Sequence, residues 1–249
     1  MTYAFILTTL AGLATLLGII PIFIKTKNES AIISSSCAFA GGVMICVSVL
    51  DLIPSSIEYL QSNYSHITVI FFALISLLFG VYLSYFMDKK VDKISNGSNL
   101  FKVGILSMIA IILHNIPEGI VTFIVTNKNI FLGISLCIAI AMHNIPEGIS
   151  IAVPIYYSTK SKFKAILYTL ISAISEPLGA FLTYLFIEKF INNTSLGLLF
   201  SFIAGIMIQI SLNKLLPTSS SYNKKSTITF FIIGFIFMTI SLLLNSLIS

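Results

Sequence analysis

Eight times along this chain a run of about 20 or more residues passes with almost no charge, and that pattern leaves few folds open. Read with a window of about 19 residues, the runs cover residues 3–24, 31–53, 67–87, 101–126, 130–156, 163–190, 195–216 and 228–248. Stretches this long satisfy every backbone group internally only as helices, whereas barrel strands would be shorter and would alternate in polarity. The chain is 57% hydrophobic and 9% charged, against roughly 25% charged in an average soluble domain, so it cannot clothe itself in polar surface. The expected fold is an all-α membrane protein of eight transmembrane helices in a lipid bilayer, with residues 1–249 forming one transmembrane unit. The first run has no lysine before Lys25 and no small-residue cleavage site, and it is longer than a signal-peptide core, so it reads as a spanning helix.

All 14 basic residues are lysines, and their placement is a topology signal rather than a nucleic-acid footprint; no nucleic-acid partner is expected. Eleven lie in the loops after runs one, three, five and seven: Lys25, Lys27, Lys89, Lys90, Lys93, Lys102, Lys160, Lys162, Lys164, Lys224 and Lys225. Only Lys128 and Lys189 lie on the opposite side, with Lys214 inside the end of run seven. Lysine-rich short loops stay in the cytoplasm, which puts both termini outside the cell and makes the chain a multi-pass protein of the plasma membrane. Cys37, Cys46 and Cys137 fall within runs and are expected to be small packing residues. The linker 88–100 is expected to be a mobile surface loop.

Two internal echoes organise the apolar background. His114-Asn115-Ile116-Pro117-Glu118-Gly119 returns unchanged as His143-Asn144-Ile145-Pro146-Glu147-Gly148. Run two, Phe39 to Ser48 and ending at Pro54, shares Phe, Gly, Met, Ser and Pro in register with run seven, Phe202 to Ser211 and ending at Pro217. Runs two and seven point in opposite directions, as do runs four and five. Such inverted repeats place a substrate site near the midplane at their interface.

Glu118, Glu147 and Glu176, with His114 and His143, sit deep within runs, where an ionisable side chain costs roughly 2.5–3.5 kcal/mol and marks a pathway or a site. Three buried carboxylates without a nearby lysine or arginine repel one another unless a cation joins them. Histidine and glutamate at i and i+4 share one helix face, so two such helices bring two imidazoles and two carboxylates together. That set neutralises one dication and suits zinc or ferrous iron better than magnesium or calcium. Asn115, Asn144 and Glu176 add oxygens, which makes one ion site the expectation and leaves room for a second. Pro117 and Pro146 are expected to interrupt their helices one turn from each histidine, or to bend them for packing. Asp51, Glu58 and His66 read as a solvated loop rather than an acidic funnel. Met44, Cys46, Ser48, Met207, Gln209 and Ser211 read as packing rather than as a route.

The doubled His-Asn-x-Pro-Glu-Gly, followed in the next run by Ser175-Glu176-Pro177-Leu178-Gly179-Ala180, resembles the ZIP (zinc-iron permease) family of metal transporters along the whole chain. The resemblance implies an inverted-repeat bundle that moves zinc, and often iron, manganese, cobalt or cadmium, into the cytoplasm. It implies zinc ligation by His114, Glu118, His143 and Glu147, and a neighbouring ion, such as ferrous iron, held by Asn115, Glu118, Asn144, Glu147 and Glu176. The metal is cargo, and no cofactor is expected. Two departures stand out: Lys214 near the cytoplasmic end of run seven, where relatives carry acidic residues, and a loop 88–100 without histidines.

No GxxxxGK[ST] phosphate loop is present to couple nucleotide hydrolysis, and no HExxH supports an intramembrane metalloprotease, so a secondary carrier rather than an enzyme is expected. The rival readings are a metal-selective channel and a proton-coupled carrier of another cation. The motifs do not distinguish a monomer from a homodimer.

Overall fold

A computed structural model describes residues 1–94, 97–187 and 192–248, and each expected run is a helix there. The helices are α1 (Thr2–Phe23), α2 (Glu29–Gln61), α3 (His66–Val91), α4 (Asn99–Lys128), α5 (Ile130–Thr159), α6 (Lys162–Leu185), α7 (Asn193–Tyr222) and α8 (Lys224–Leu247). Lys189 and Phe190, the expected end of run six, lie outside the described residues.

Local chemistry sets the boundaries. Ser98, Asn129 and Ser161 accept hydrogen bonds from backbone N–H groups in the first turns of α4, α5 and α6. Asn192 and Ser195 form a reciprocal capping box at the start of α7. Lys160 ends α5 in the left-handed conformation at φ 54°. The turn between α4 and α5 is the single residue Asn129, which leaves those two helices antiparallel neighbours.

Three expectations need correction. Helical backbone continues through Pro117 and Pro146, so the repeated hexapeptides do not interrupt α4 or α5. Packed spanning helices tolerate the one missing N–H because neighbouring groups restore the lost bonding. The irregular backbone lies in the neighbours: a 3₁₀ stretch at Thr15–Phe23 in α1 and π-helical turns at Ser48–Leu52, Thr183–Ile187 and Ser211–Leu215. Secondly, α2 and α7 do not end at Pro54 and Pro217. Each proline directly follows a π turn, and the local change of helical pitch accommodates its ring and its missing N–H while the helix continues. Glu58 is therefore helical, and His66 opens α3. Thirdly, most of the expected loop 88–100 is helix, since α-helical backbone extends to Ile94 and resumes at Asn99.

The helices pair through glycines at crossings too close for a Cβ. A methyl on Gly119 would collide with the Glu176 carbonyl oxygen, and one on Gly179 with that of Ile116, so α4 and α6 touch backbone to backbone. Gly148 of α5 meets Thr15 and Gly18 of α1 in the same way. The outer pairs repeat the device: Gly42 and Gly234 join α2 to α8, and Gly80 and Gly205 join α3 to α7. The correspondence α1 with α6, α2 with α7, α3 with α8 and α4 with α5 matches helices that run in opposite directions. The doubled hexapeptides occupy equivalent places at its centre.

At one end of the bundle the terminal amine of Met1 donates to Asn127 Oδ1, and Asn193 of α7 donates to Ser62. The other end carries most of the described lysines. There Lys160 pairs with Glu29 at 2.5 Å, and Lys214 of α7 pairs with Asp88 of α3 at 2.5 Å in a half-buried position. Between the ends lies a core that includes Met44, Val47, Ile111, Ile151, Ile155 and Met207.

Candidate metal centre

The side chains singled out in the sequence converge where α4, α5 and α6 cross. His114, Asn115, Glu118, His143, Asn144, Glu147 and Glu176 are all buried, none more than 8% exposed. Glu118 Oε1 lies 2.8 Å from His143 Nε2 and 3.2 Å from His114 Nε2. His114 Nε2 is also 3.5 Å from Glu147 Oε1, which closes a four-residue group across α4 and α5. The contact between Glu118 and His143 is aligned as a hydrogen bond, whereas His114 Nε2 has no aligned partner. Ligand atoms of His114, Glu118 and His143 all fall within 4.8 Å of one another.

The remaining three residues form a second rank, held by backbone. The Asn144 amide donates to Glu176 Oε2 at 2.8 Å and to the Ala11 carbonyl of α1 at 3.0 Å. Asn115 donates to the Ser172 carbonyl of α6 at 3.2 Å. With their N–H groups committed, both asparagines keep an unpartnered Oδ1. Gly12 of α1 lies against the Glu176 side chain, where a Cβ would approach the Glu176 Cβ to 2.9 Å.

What the group lacks is positive charge. Both Glu147 oxygens, Glu118 Oε2, Glu176 Oε1 and the two asparagine Oδ1 atoms are buried without a hydrogen-bond donor. Each such acceptor ordinarily costs about 1–3 kcal/mol. The described ion pairs of Glu118 and Glu147 are with histidines only. A centre of acceptor oxygens and imidazole nitrogens has the chemistry to take up a cation.

The centre is reached from one side. A cavity of about 570 Å³ runs to Glu118 and His143, walled by Asp51, Ser55, Glu58 and Tyr59 of α2 and by Leu136 of α5. It opens at the end that holds Met1. Toward the lysine end the way is filled by Met44, Val47, Ile111, Ile151 and Met207, each at most 1% exposed. Asp51 and Glu58 therefore line a cavity and are not a solvated loop, whereas His66 is exposed at the start of α3 and does not line it. The π turn at Ser48–Leu52 changes the helical phase where Asp51 stands, a change that hydropathy does not register. The role of α1 was equally unforeseen; its small residues Ala11 and Gly12 were the available signal. Met44, Cys46, Ser48, Met207 and Gln209 pack as expected, with Gln209 accepting a 2.6 Å hydrogen bond from Ser84 and Cys46 lying against Thr239. Ser211 is buried too.

The chain is similar to known proteins along nearly its whole length. The chain is 36% identical over 255 residues to the zinc transporter ZupT of Streptococcus mutans, covering 97% of each protein. It is 36% identical over 271 residues to ZupT of Clostridium perfringens, covering 97% of this chain and 95% of the relative. It is 37% identical over 262 residues to ZupT of Corynebacterium glutamicum, covering 98% and 99%. Residues 92–242, which include all seven site residues, match the family described as ZIP Zinc transporter. By its motif, its helices and its near full-length relatives, the chain belongs to the ZIP zinc transporter family, whose members are transporters and not enzymes.

Proposed function

We propose that this protein is a secondary carrier that brings zinc into the cytoplasm, with the ion held by His114, Glu118, His143 and Glu147 between α4 and α5. The observation that carries the reading is the contact set of 2.8, 3.2 and 3.5 Å among those four side chains. Bonds of about 2.0–2.2 Å in a tetrahedron put ligand atoms about 3.4 Å apart, so small side-chain adjustments admit the ion. Two carboxylates balance one dication, and the neutral imidazoles add bonds without charge. Asn115, Asn144 and Glu176 extend the centre toward a second ion, which shares Glu118 and Glu147 as bridges. The nitrogen and oxygen donors also suit ferrous iron, manganese, cobalt and cadmium as cargo.

The lysine-rich end is assigned to the cytoplasm by the positive-inside rule, which makes the open cavity extracellular. A dication entering down a potential of 100 mV, negative inside, gains about 4.6 kcal/mol, enough to drive uptake without nucleotide hydrolysis. The apolar packing of Met44, Val47, Ile111, Ile151 and Met207 below the centre favours alternating access over an open channel. Uptake of radioactive zinc into proteoliposomes is expected to saturate, and Glu118→Ala and Glu147→Ala are each expected to lower it at least tenfold. Wild-type rates in both variants would refute the assignment, and uptake that never saturates would restore the channel.

A further inference from the structure

Beside the metal cavity, on the outer surface of the bundle, a second hollow of about 260 Å³ lies between α5 and α8. Ile138, Phe237, Ile240 and Leu244 form its sides. Ile138, Ile240 and Leu244 are 52–55% exposed, so its lip opens toward the bilayer. Ser135, Ala139 and Asn245 line this groove and the metal cavity alike. Small side chains are thus much of what separates a polar, ion-accepting cavity from hydrocarbon. An apolar cavity of about 150 Å³ already stays dry and takes apolar guests. A helix of a second copy is too thick to be the guest: at a diameter of about 10 Å, 260 Å³ would hold only about 3 Å of its length. A single extended hydrocarbon chain suits both the volume and the apolar lining.

We propose that the groove between α5 and α8 holds one acyl chain of a bilayer phospholipid, which completes the lateral wall of the metal cavity. The lipid is a structural ligand: with its chain in place, the shared wall of Ser135, Ala139 and Asn245 is backed by hydrocarbon, and water in the cavity does not meet the membrane. Because α5 carries His143 and Glu147 while α8 packs on α2, the groove lies between the metal-site helices and the outer pair. The occupant bears on how those two parts of the bundle meet.

The protein has no tryptophan, so one introduced indole reports alone. Phe237→Trp places it in the groove, and Phe79→Trp, at a position 58% exposed near the middle of α3, serves as the ordinary lipid-facing control. Each variant is reconstituted in phosphatidylcholine with increasing fractions of chains dibrominated at mid-length, and emission is read without metal, which keeps the result independent of the zinc assignment. Phe237→Trp is expected to be quenched at least as strongly as Phe79→Trp. Ser241→Leu, which fills the groove from a residue that does not line the metal cavity, is expected to reduce the Phe237→Trp quenching at least twofold and leave the control unchanged. Leu244→Phe narrows the same groove from its lip and replaces Ser241→Leu if that protein does not fold. Weak quenching of Phe237→Trp would overturn the proposal in favour of a closed groove or a second copy. Quenching that neither filling variant lowers would overturn it in favour of ordinary annular contact.

Discussion

At the scale of single residues, the centre separates groups by depth. Glu118 and His143 face the cavity, while Glu147, Asn144 and Glu176 lie behind them, and the Asn144 amide ties Glu176 to the Ala11 carbonyl of α1. Asp51 stands between the mouth and Glu118 without contacting the four central side chains, so its charge attracts an incoming cation but does not hold the bound one. Asp51→Asn is accordingly expected to raise KM for zinc uptake several-fold with little change in kcat; an unchanged KM would show that the mouth carboxylate is idle. Glu176→Ala is expected to lower the metal retained per protein toward one ion, and His143→Ala to weaken the remaining one. Elemental analysis of the purified proteins reads both. The five ionisable side chains were legible from the sequence because such residues in apolar runs have few other uses, and the two asparagines were legible from their place in the repeated hexapeptide. The importance of Asp51 was not, since nothing in a linear reading shows a side chain to be turned into a cavity by one π turn.

At the scale of elements, the close crossings hold the site in register. Gly119 and Gly148 end the two hexapeptides, and each lets its helix touch the backbone of α6 or α1, where Glu176 and Ala11 supply partners for Asn144. Adding one methyl at either position forces backbone apart, and overpacking of this kind costs about 1–3 kcal/mol. Gly119→Ala and Gly148→Ala are each expected to lower the melting temperature in detergent and to reduce zinc binding as well. Gly41→Ala is the internal control: its new Cβ would meet the flexible Leu216 side chain at an ordinary 3.4 Å, and little change is expected. Equal losses at all three positions would contradict the close-crossing argument. The ion pair of Lys214 with Asp88 belongs to this scale too, since it ties α7 to α3. Lys214→Met strands a half-buried carboxylate and is expected to destabilise by about 1–3 kcal/mol, less than a fully buried pair because solvent reaches both groups. Adding Asp88→Asn is expected to recover most of that loss in a denaturation double-mutant cycle. Lys214 departs from the acidic residue the family resemblance led us to expect, and the pair explains how the charge is accommodated there.

At the scale of the whole molecule, the bundle has one open and one sealed side. On the proposed orientation, with both termini outside, Ser62→Cys at the open end is expected to react with a membrane-impermeant maleimide in intact cells, while Ser221→Cys at the lysine end is protected until the membrane is permeabilised. The native thiols Cys37, Cys46 and Cys137 are buried and stay silent. The reverse labelling pattern would invert the direction of transport inferred from the lysines.

By itself the sequence determined the class of fold, the number of spans, the antiparallel equivalence of the repeats and the identity of the metal-competent side chains. Those properties are carried by local composition and periodicity: a hydrocarbon core demands apolar helices of a set length, and a charged group survives there only for a purpose. Tertiary structure alone decided that Pro117 and Pro146 leave their helices intact while the π turns fall in α2, α6 and α7, that α1 serves as a wall of the site, and that the cavity opens at the end carrying Met1. Each depends on which helix lies against which. Backbone contact at Gly119 and Gly148, and not the residues of any one helix, fixes where the unpartnered oxygens point and from which side an ion reaches them.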